Sequence, residues 1–186
     1  MGRAKGTLWL VGAVISLIAA FFVVWSAGLP DRASYTGFIA AGERVAPEMN
    51  AIAPPFEAQK LAGGSVRLAD LRGQTVLINF WATWCEPCKA ELPEIEAVYE
   101  TYKRRGLRVL GVNLGETKVD VARWVEAFGL TYDIVFDEDQ RIASLYQLRG
   151  QPSSYLIAPD GVITQIYYGP TIRQQLEAAI APLLPA

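Results

Sequence analysis

The chain has 186 residues, a formal net charge of −2 and no histidine. The sequence has no basic stripe that would favour a nucleic-acid partner. Without histidine, no imidazole is available as a metal ligand or general base. Two cysteines are too few for a disulfide-rich scaffold.

The N-terminal part of the chain contains an apolar segment and a linker. Residues 8–29 carry no charge, and a helix of about 20 such residues spans the hydrocarbon layer of a membrane. We interpret them as an uncleaved transmembrane anchor, with a cleaved secretory signal as the alternative. Residues 1–7, with Arg3 and Lys5, are expected to form a short cytoplasmic N-terminus. Residues 30–53 lack periodicity and are interpreted as a linker with little fixed structure.

A single globular domain is predicted over residues 54–186. Short apolar runs rich in β-branched and aromatic residues indicate buried strands, and apolar residues at helical spacing indicate helices. The predicted elements are strand 75–81, helix 86–105, strand 107–114, helix 117–128, a short strand near 132–136, a short helix near 139–147, an antiparallel hairpin of strands 154–158 and 162–168, and a final helix from 172. This order predicts an α/β fold with a mixed central sheet and helices on both faces.

The only cysteines, Cys85 and Cys88, lie in the stretch FWATWCEPCKAELP, where a predicted strand gives way to a helix. A zinc site needs four ligands, and no second ligand cluster accompanies this pair, so no metal site is expected. A permanent staple across so short a loop would restrict the unfolded chain little. Cys85 is predicted at the helix N-terminus, where the dipole favours a thiolate. We therefore predict a redox pair in which Cys85 attacks a partner's disulfide and Cys88 resolves the mixed disulfide.

The residues around the pair suit this position. Pro87 falls in the first helical turn, where its missing N–H would be unsatisfied in any case. The negative charge of Glu86 disfavours a neighbouring thiolate, so Glu86 and Pro87 are expected to tune the redox potential. Pro93 lies inside the helical pattern and is expected to kink the helix.

These motifs, with APPFEAQKL before them and RGQPSSYLIAPDGVI after them, resemble the TlpA/ResA-like family over about residues 52–184. The family consists of membrane-anchored, thioredoxin-like thiol–disulfide oxidoreductases. The resemblance implies a thioredoxin-like fold without a cofactor and a redox disulfide between Cys85 and Cys88. It also implies that Pro152 is the cis-proline beside the disulfide, where it helps to present a backbone edge to substrate. Gln151 precedes this proline, where family members often carry a small or β-branched residue, so partner preference is expected to differ.

Glu91 resembles an acidic residue of the family that is implicated in the proton chemistry of the cysteines. A carboxyl one turn past Cys88 can move protons if burial raises its pKa, and the alternative is a solvated helix glutamate. Asn79 stands where cytoplasmic thioredoxin has a buried aspartate, and an amide cannot take a proton. Trp81 and Trp84 resemble the aromatic flank of the family, with Trp81 in the core and Trp84 beside the exposed disulfide as part of the substrate-binding surface.

The resemblance implies a disulfide reductase tethered in the cell membrane, with its domain on the extracytoplasmic side. Its expected substrates are oxidised apocytochrome c or the proteins that handle it, and its electron donor is a membrane thiol carrier of the CcdA/DsbD type. General disulfide oxidation or isomerisation is an alternative, as is a non-enzymatic metal-binding module, which the lack of histidine disfavours. A thiol peroxidase is a further alternative. Its Pro-x-x-x-Thr-x-x-Cys pattern is absent, because Thr83 lies two residues before Cys85.

Overall fold

The computed structural model describes residues 44–185, and this part of the chain contains seven strands. They are β1 (Glu57–Gln59), β2 (Ser65–Arg67), β3 (Thr75–Trp81), β4 (Leu107–Leu114), β5 (Asp133–Asp137), β6 (Ser153–Ile157) and β7 (Ile163–Tyr168). The last five form a mixed sheet in the order β5-β4-β3-β6-β7. β4 pairs in parallel with both β3 and β5, whereas β6 runs antiparallel to both β3 and β7. Every residue of β3 is buried, as expected for a central strand that is covered on both faces.

Helices cover both faces of this sheet, as predicted. They are α1 (Glu86–Tyr102), α2 (Lys118–Phe128), α3 (Arg141–Leu145) and α4 (Arg173–Ile180), with short 3-10 turns at Leu68–Leu71, Lys103–Arg105 and Ala181–Leu183. One core cluster joins α1, α2 and α4 to one face, and a second cluster joins α3 to the other face. The sequence predicts one helix start from the capping pattern of Thr117 with Asp120 and one helix stop from Gly106, and the structure confirms both. Thr117 Oγ1 accepts a hydrogen bond from the N–H of Asp120 at the start of α2, and Gly106, with φ 95°, follows the turn that ends α1.

Residues 44–53 belong to the fold, which corrects the expectation of little fixed structure over this part of the linker 30–53. Residues 51–53 are buried, and the N–H of Ile163 donates to the carbonyl of Ala51 at 2.9 Å. This short segment pairs with the outer edge of β7. Three apolar residues in a row are too few to show a period, so the sequence pattern gave no signal for it.

The predicted N-terminus 1–7, the anchor 8–29 and the first part of the linker lie outside the described residues. Between residues 44 and 185, no helix is long and apolar enough to cross a membrane. The hairpin of β1 and β2 was not predicted, because strands of three residues are too short to show an alternating pattern.

Gly111, in the middle of β4, makes room for the aromatic residue that ends β3. A Cβ at Gly111 would lie 2.8 Å from Ile134 Cδ1 and 3.2 Å from Trp81 Nε1. Glycine therefore leaves space for the Trp81 indole, directly before the cysteine loop. Trp81 is fully buried, as predicted.

Candidate active site

The candidate site lies at one end of the central sheet. The carboxyl ends of β3, β4 and β7 meet there with the amino end of β6, because Ser153 pairs with both Phe80 of β3 and Tyr168 of β7. The loop from β3 into α1, which carries the cysteines, therefore emerges beside Pro152, the residue that precedes β6. Loops at the carboxyl ends of parallel strands are the usual place for a site in such a sheet.

Cys85 and Cys88 form a disulfide with an S–S distance of 2.01 Å. Cys85 is the N-cap residue of α1, with extended backbone, and Pro87 lies in the first helical turn, as predicted. Cys85 retains 4% exposure, whereas Cys88 has none. Of the two cysteines only Cys85 retains contact with solvent, and the positive end of the helix dipole would stabilise a thiolate there.

The surface beside the disulfide combines an exposed aromatic ring with an open pocket. Trp84 is 66% exposed. The Gln151–Pro152 peptide bond is cis, and the N–H of Gly169 donates to the carbonyl of Pro152 at 2.9 Å. The pocket, of about 320 Å³, is lined by Arg149, Gly150, Gln151, Pro152, Ser153, Tyr168 and Gly169. The structure thus brings the three expected substrate-binding residues, Trp84, Gln151 and Pro152, to the same end of the sheet.

Glu86 has a charged partner that the sequence reading did not assign. Lys89 Nζ lies 2.5 Å from Glu86 Oε2, and the same ammonium lies 5.3 Å from the centre of the Trp124 ring. Because the Glu86 side chain is largely exposed and already paired, its charge opposes a Cys85 thiolate less than that of an isolated carboxylate would.

Glu91, one turn after Cys88 on α1, is 1% exposed and therefore not a solvated helix glutamate. The backbone N–H of Thr171 donates to its Oε1 at 3.0 Å and the Thr171 hydroxyl at 2.5 Å. Asn79 Nδ2 donates to its Oε2 at 3.1 Å. Burial raises the pKa of the Glu91 carboxyl, and these three donors partly oppose that rise because they favour the charged form.

Asn79 connects Glu91 to the strand that follows the cis-proline. It lies in the middle of β3, opposite Ser154 of β6, and its Nδ2 also donates to Ser154 Oγ at 3.0 Å. Its Oδ1 is buried and has no hydrogen-bond donor. With an amide at position 79, Glu91 is the buried carboxyl that lies one turn from Cys88 along α1.

Glu116, after β4, is a site residue that the sequence analysis did not single out. Its Oε2 accepts from the N–H of Thr83 at 2.7 Å and from Asn113 Nδ2 at 2.7 Å, and its Oε1 accepts from the Thr83 hydroxyl at 2.5 Å. Thr83 lies two residues before Cys85. Glu116 therefore holds in place the loop that carries Cys85.

Thr171, Ser154 and Glu116 were all missed in the sequence, although one signal was available for two of them. Glu116 and Thr171 each follow a predicted strand by two or three residues, on loops at the end of the sheet where sites form. Within residues 44–185, no group of three cysteine or acidic residues could hold a metal ion.

Fold and site together define a thioredoxin-like domain with a dithiol/disulfide centre. The family model of the AhpC/TSA family matches residues 49–166. The chain is 36% identical to "Thiol-disulfide oxidoreductase ResA" of Geobacillus kaustophilus, over 81% of this chain and 86% of that protein. It is 34% identical to the ResA of Geobacillus thermodenitrificans, over 77% of this chain and 82% of that protein.

Solved structures agree with this likeness. StoA from Bacillus subtilis matches with a TM-score of 0.61 at 27% identity, over 68% of this chain and 96% of StoA. A thiol:disulfide interchange protein of the thioredoxin family from Chlorobium tepidum shares the fold, with a TM-score of 0.66 at 24% identity over 73% of this chain and 97% of that chain. The chain therefore belongs to the AhpC/TSA family and, as a relative of ResA, is a thiol–disulfide oxidoreductase.

Proposed function

We propose that the protein is a disulfide reductase in which Cys85 attacks, Cys88 resolves and Glu91 handles the proton. One observation carries this assignment: Cys85, which retains slight exposure at a helix N-terminus, is bonded to the fully buried Cys88, with a buried carboxyl one turn further along the helix. With this arrangement an outside partner meets Cys85 first, and the enclosed Cys88 thiol reacts second.

The exchange balances in two steps. The Cys85 thiolate attacks one sulfur of the partner's disulfide, a mixed disulfide forms, and the partner's other sulfur leaves as a thiolate that takes a proton. Cys88 then gives its proton to the Glu91 carboxylate and attacks Cys85 Sγ. The mixed disulfide breaks, the Cys85–Cys88 disulfide forms, and the partner leaves with both electrons as a dithiol.

The pocket beside Pro152 and the exposed Trp84 ring support a protein as the partner. An exposed ring and an open pocket at the same end of the sheet give apolar contact area for an extended segment around a cysteine. The proposed partners are oxidised apocytochrome c or its maturation proteins, as resemblance to ResA-like proteins implies. The proposed electron donor is a membrane thiol carrier of the CcdA/DsbD type.

Trapping of the mixed disulfide tests the order of attack. Cys88→Ser should accumulate a disulfide between Cys85 and an oxidised CxxCH peptide of the kind that receives haem, visible as an added mass that dithiothreitol removes. Cys85→Ser is the matched control and should trap nothing. If only Cys85→Ser traps the peptide, then Cys88 is the attacking cysteine and the assigned roles are reversed.

The potential of the dithiol/disulfide pair tests the direction of electron flow. A reductase should have a midpoint near that of thioredoxin, roughly −270 mV, and an oxidase one near that of DsbA, about −120 mV. Equilibration of the domain with glutathione or dithiothreitol buffers measures this value. A midpoint near the DsbA value would replace the reductase with a general oxidase or isomerase.

Peroxide consumption tests the thiol peroxidase alternative. The Thr83 hydroxyl already donates to Glu116, so it is engaged in holding the loop. The reduced domain should consume hydrogen peroxide no faster than a small dithiol does. Turnover well above that rate would make peroxide the substrate.

We also propose that residues 8–29 anchor the protein in the cell membrane, with the catalytic domain on the extracytoplasmic side. The support for this is the uncharged length of the segment and the anchored family that the chain resembles. Alkaline extraction of membranes from cells that express the full chain with a C-terminal tag tests it. Release of a shortened protein, with a new N-terminus after the apolar segment, would identify a cleaved signal instead.

A further inference from the structure

The carboxyl of Glu91 is held at both of its oxygens by different parts of the fold. Thr171, between β7 and α4, supplies two donors to Oε1, and Asn79 of β3 supplies one donor to Oε2. Thr171 is 3% exposed and Asn79 is fully buried, so water does not compete for these bonds. The two oxygens therefore differ: Oε1 is saturated by donors, and Oε2 has a single partner that can change.

Asn79 is the partner that can change. Its Nδ2 uses both N–H groups, one on Glu91 Oε2 and one on Ser154 Oγ, while its Oδ1 is buried without a donor. An orphaned buried acceptor is rare in folded proteins and calls for an explanation. Here the nitrogen end of the amide is fully used and the oxygen end is unused.

Protonation of Glu91 reverses which end of the Asn79 amide can form hydrogen bonds. A proton on Oε2 makes that oxygen a donor, which the Nδ2 of Asn79 cannot accept. A half turn of the Asn79 amide then places Oδ1 toward both Glu91 Oε2 and Ser154 Oγ. Oδ1 accepts from the new carboxylic O–H and from the Ser154 hydroxyl, whose hydrogen is free to rotate. Each protonation state of Glu91 is thus matched by one orientation of the same amide.

We infer that Thr171 and Asn79 are positioning residues for Glu91. Thr171 fixes Oε1, and the Asn79 amide turns over when Oε2 gains or loses its proton. This inference rests on the proposed role of Glu91 in proton transfer. It explains how an asparagine serves at this position: the amide carries no proton itself but accommodates both states of the group that does.

The loop that holds Glu91 also holds the partner-binding strand. Gly169, two residues before Thr171, donates its N–H to the carbonyl of Pro152. Ser154, which shares the Asn79 amide, lies two residues after Pro152. The proton carrier and the cis-proline segment are therefore joined at two points by hydrogen bonds.

Few other groups can affect the protonation of Glu91. On its own helix two titratable groups lie one turn away: Cys88, which does not titrate while it is in the disulfide, and Glu94, whose Oε2 accepts from the backbone N–H of Arg173 at 2.9 Å. From the chain before β5, buried Tyr132 faces the same region, and nearby Glu96 and Glu91 add to the rise that burial causes in the pKa of Tyr132. Among residues 44–185, no lysine or arginine forms an ion pair with Glu91.

Nuclear magnetic resonance of the oxidised protein tests the Asn79 amide directly. The side-chain amide resonances of Asn79 should move with pH at the same midpoint as the Glu91 carboxyl carbon. In Glu91→Gln, the Asn79 resonances should lose that pH dependence. Asn79 resonances that stay fixed through the Glu91 titration would overturn the switch, as would a Glu91 carboxyl that does not titrate while the domain is folded.

Asn113 provides a matched control inside the same molecule. It is also fully buried, donates through Nδ2 to a carboxylate, that of Glu116, and has a buried Oδ1 without a donor. Its amide resonances should not follow the titration midpoint of Glu91 and should keep their behaviour in Glu91→Gln. A shared response of both asparagines would indicate a general pH effect on the domain and would overturn the assignment to Glu91.

Two substitutions at Thr171 test its role. Thr171→Val removes the hydroxyl donor at nearly the same volume, so the Glu91 titration midpoint should move up, because a donor that favours the charged form is lost. Thr171→Ser keeps the hydroxyl and should restore the wild-type midpoint. Equal midpoints in the two folded variants would overturn the positioning role.

The exchange rate of Glu91→Gln separates this inference from the function on which it rests. If Glu91→Gln leaves the resolving step unchanged while Thr171→Val still moves the Glu91 midpoint, the proposed proton role fails and the positioning role stands. If Glu91→Gln slows the step while the two Thr171 variants titrate alike, the positioning role fails alone.

Discussion

Two carboxylates of the candidate site, Glu91 and Glu116, accept the same set of hydrogen bonds. Each is bonded by a threonine backbone N–H, by the hydroxyl of the same threonine and by an asparagine amide whose oxygen is buried without a donor. The donors are Thr171 and Asn79 for Glu91, and Thr83 and Asn113 for Glu116. The types of hydrogen-bond donor therefore cannot explain a difference in function between Glu91 and Glu116.

The two carboxylates differ in burial and in what they hold. Glu91 is enclosed on the helix behind Cys88, and burial raises its pKa in spite of three donors. Glu116 is only half-buried and fastens the loop before Cys85. Under the proposed mechanism, equal hydrogen bonds serve proton transfer at Glu91, where water is excluded, and hold a loop in place at Glu116, where it is not.

The largest expected effect is on the rate of the resolving step. Glu91→Gln should slow the attack of Cys88 on the mixed disulfide by about 100-fold, because a positioned base typically contributes at least that much. Glu116→Gln should slow it by less than about tenfold, because the loop keeps an acceptor of the same shape. Stopped-flow fluorescence with an oxidised peptide separates the two phases. Equal losses in the two variants would remove the functional difference between the carboxylates.

The second-largest expected effect is on stability and comes from Glu116, which holds the loop before Cys85. Glu116→Ala should lower the free energy of unfolding by about 2 kcal/mol, because three donors, one of them from buried Asn113, lose a charged acceptor. Urea unfolding of the oxidised domain measures this. Glu126→Ala on the exposed face of α2 is the matched control and should change stability little. Similar midpoints for the two variants would contradict the anchoring role.

A smaller effect is expected from the hydroxyl on the Glu116 side. Thr83→Val should lower stability by about 1 kcal/mol, because it removes one hydrogen bond to a carboxylate and keeps the backbone N–H in place. Thr83→Ser, which keeps the hydroxyl, should retain most of that stability. If serine and valine at this position unfold at the same urea concentration, the hydroxyl contributes nothing to the loop.

The smallest expected effect is a pH dependence of stability that comes from Glu91. The folded-state pKa of Glu91 is raised above its ordinary value of 4.5, so the folded protein binds more protons than the unfolded chain between the two values. Stability should therefore be highest below the ordinary pKa and fall as pH rises through the raised one. Subtracting the pH profile of Glu91→Gln isolates this fall. A difference profile that stays flat or rises with pH would contradict it.

The sequence predicted those features that depend on neighbouring residues. The N-cap at Thr117, the stop at Gly106, the buried run of β3 and the position of Cys85 at the start of α1 each follow from signals within a few residues. The sheet and the cysteine pair were therefore predictable, together with the helices on both faces.

The polar contacts that complete the site were not predictable from local pattern. Thr171 and Glu91 are 80 residues apart, Asn79 and Ser154 are 75 apart, and Thr83 and Glu116 are 33 apart. Such pairs meet only after the strands have aligned, and a single polar residue in a loop carries no sign of its partner. Resemblance pointed to Glu91, because that residue lies within the cysteine motif, but it did not identify the donors.

Residues 44–53, which come before the predicted start of the domain, have a consequence for its solubility. The outer strands of a sheet can pair with another copy of the chain if their edges are open. Here Leu61 donates to the carbonyl of Ile134 along β5, and Ala51 accepts from Ile163 at the start of β7, so chain from the N-terminal side covers part of each edge. A domain trimmed to begin at Pro54 would lose the cover on β7 and would be prone to edge-to-edge aggregation, although every residue of the redox site would still be present.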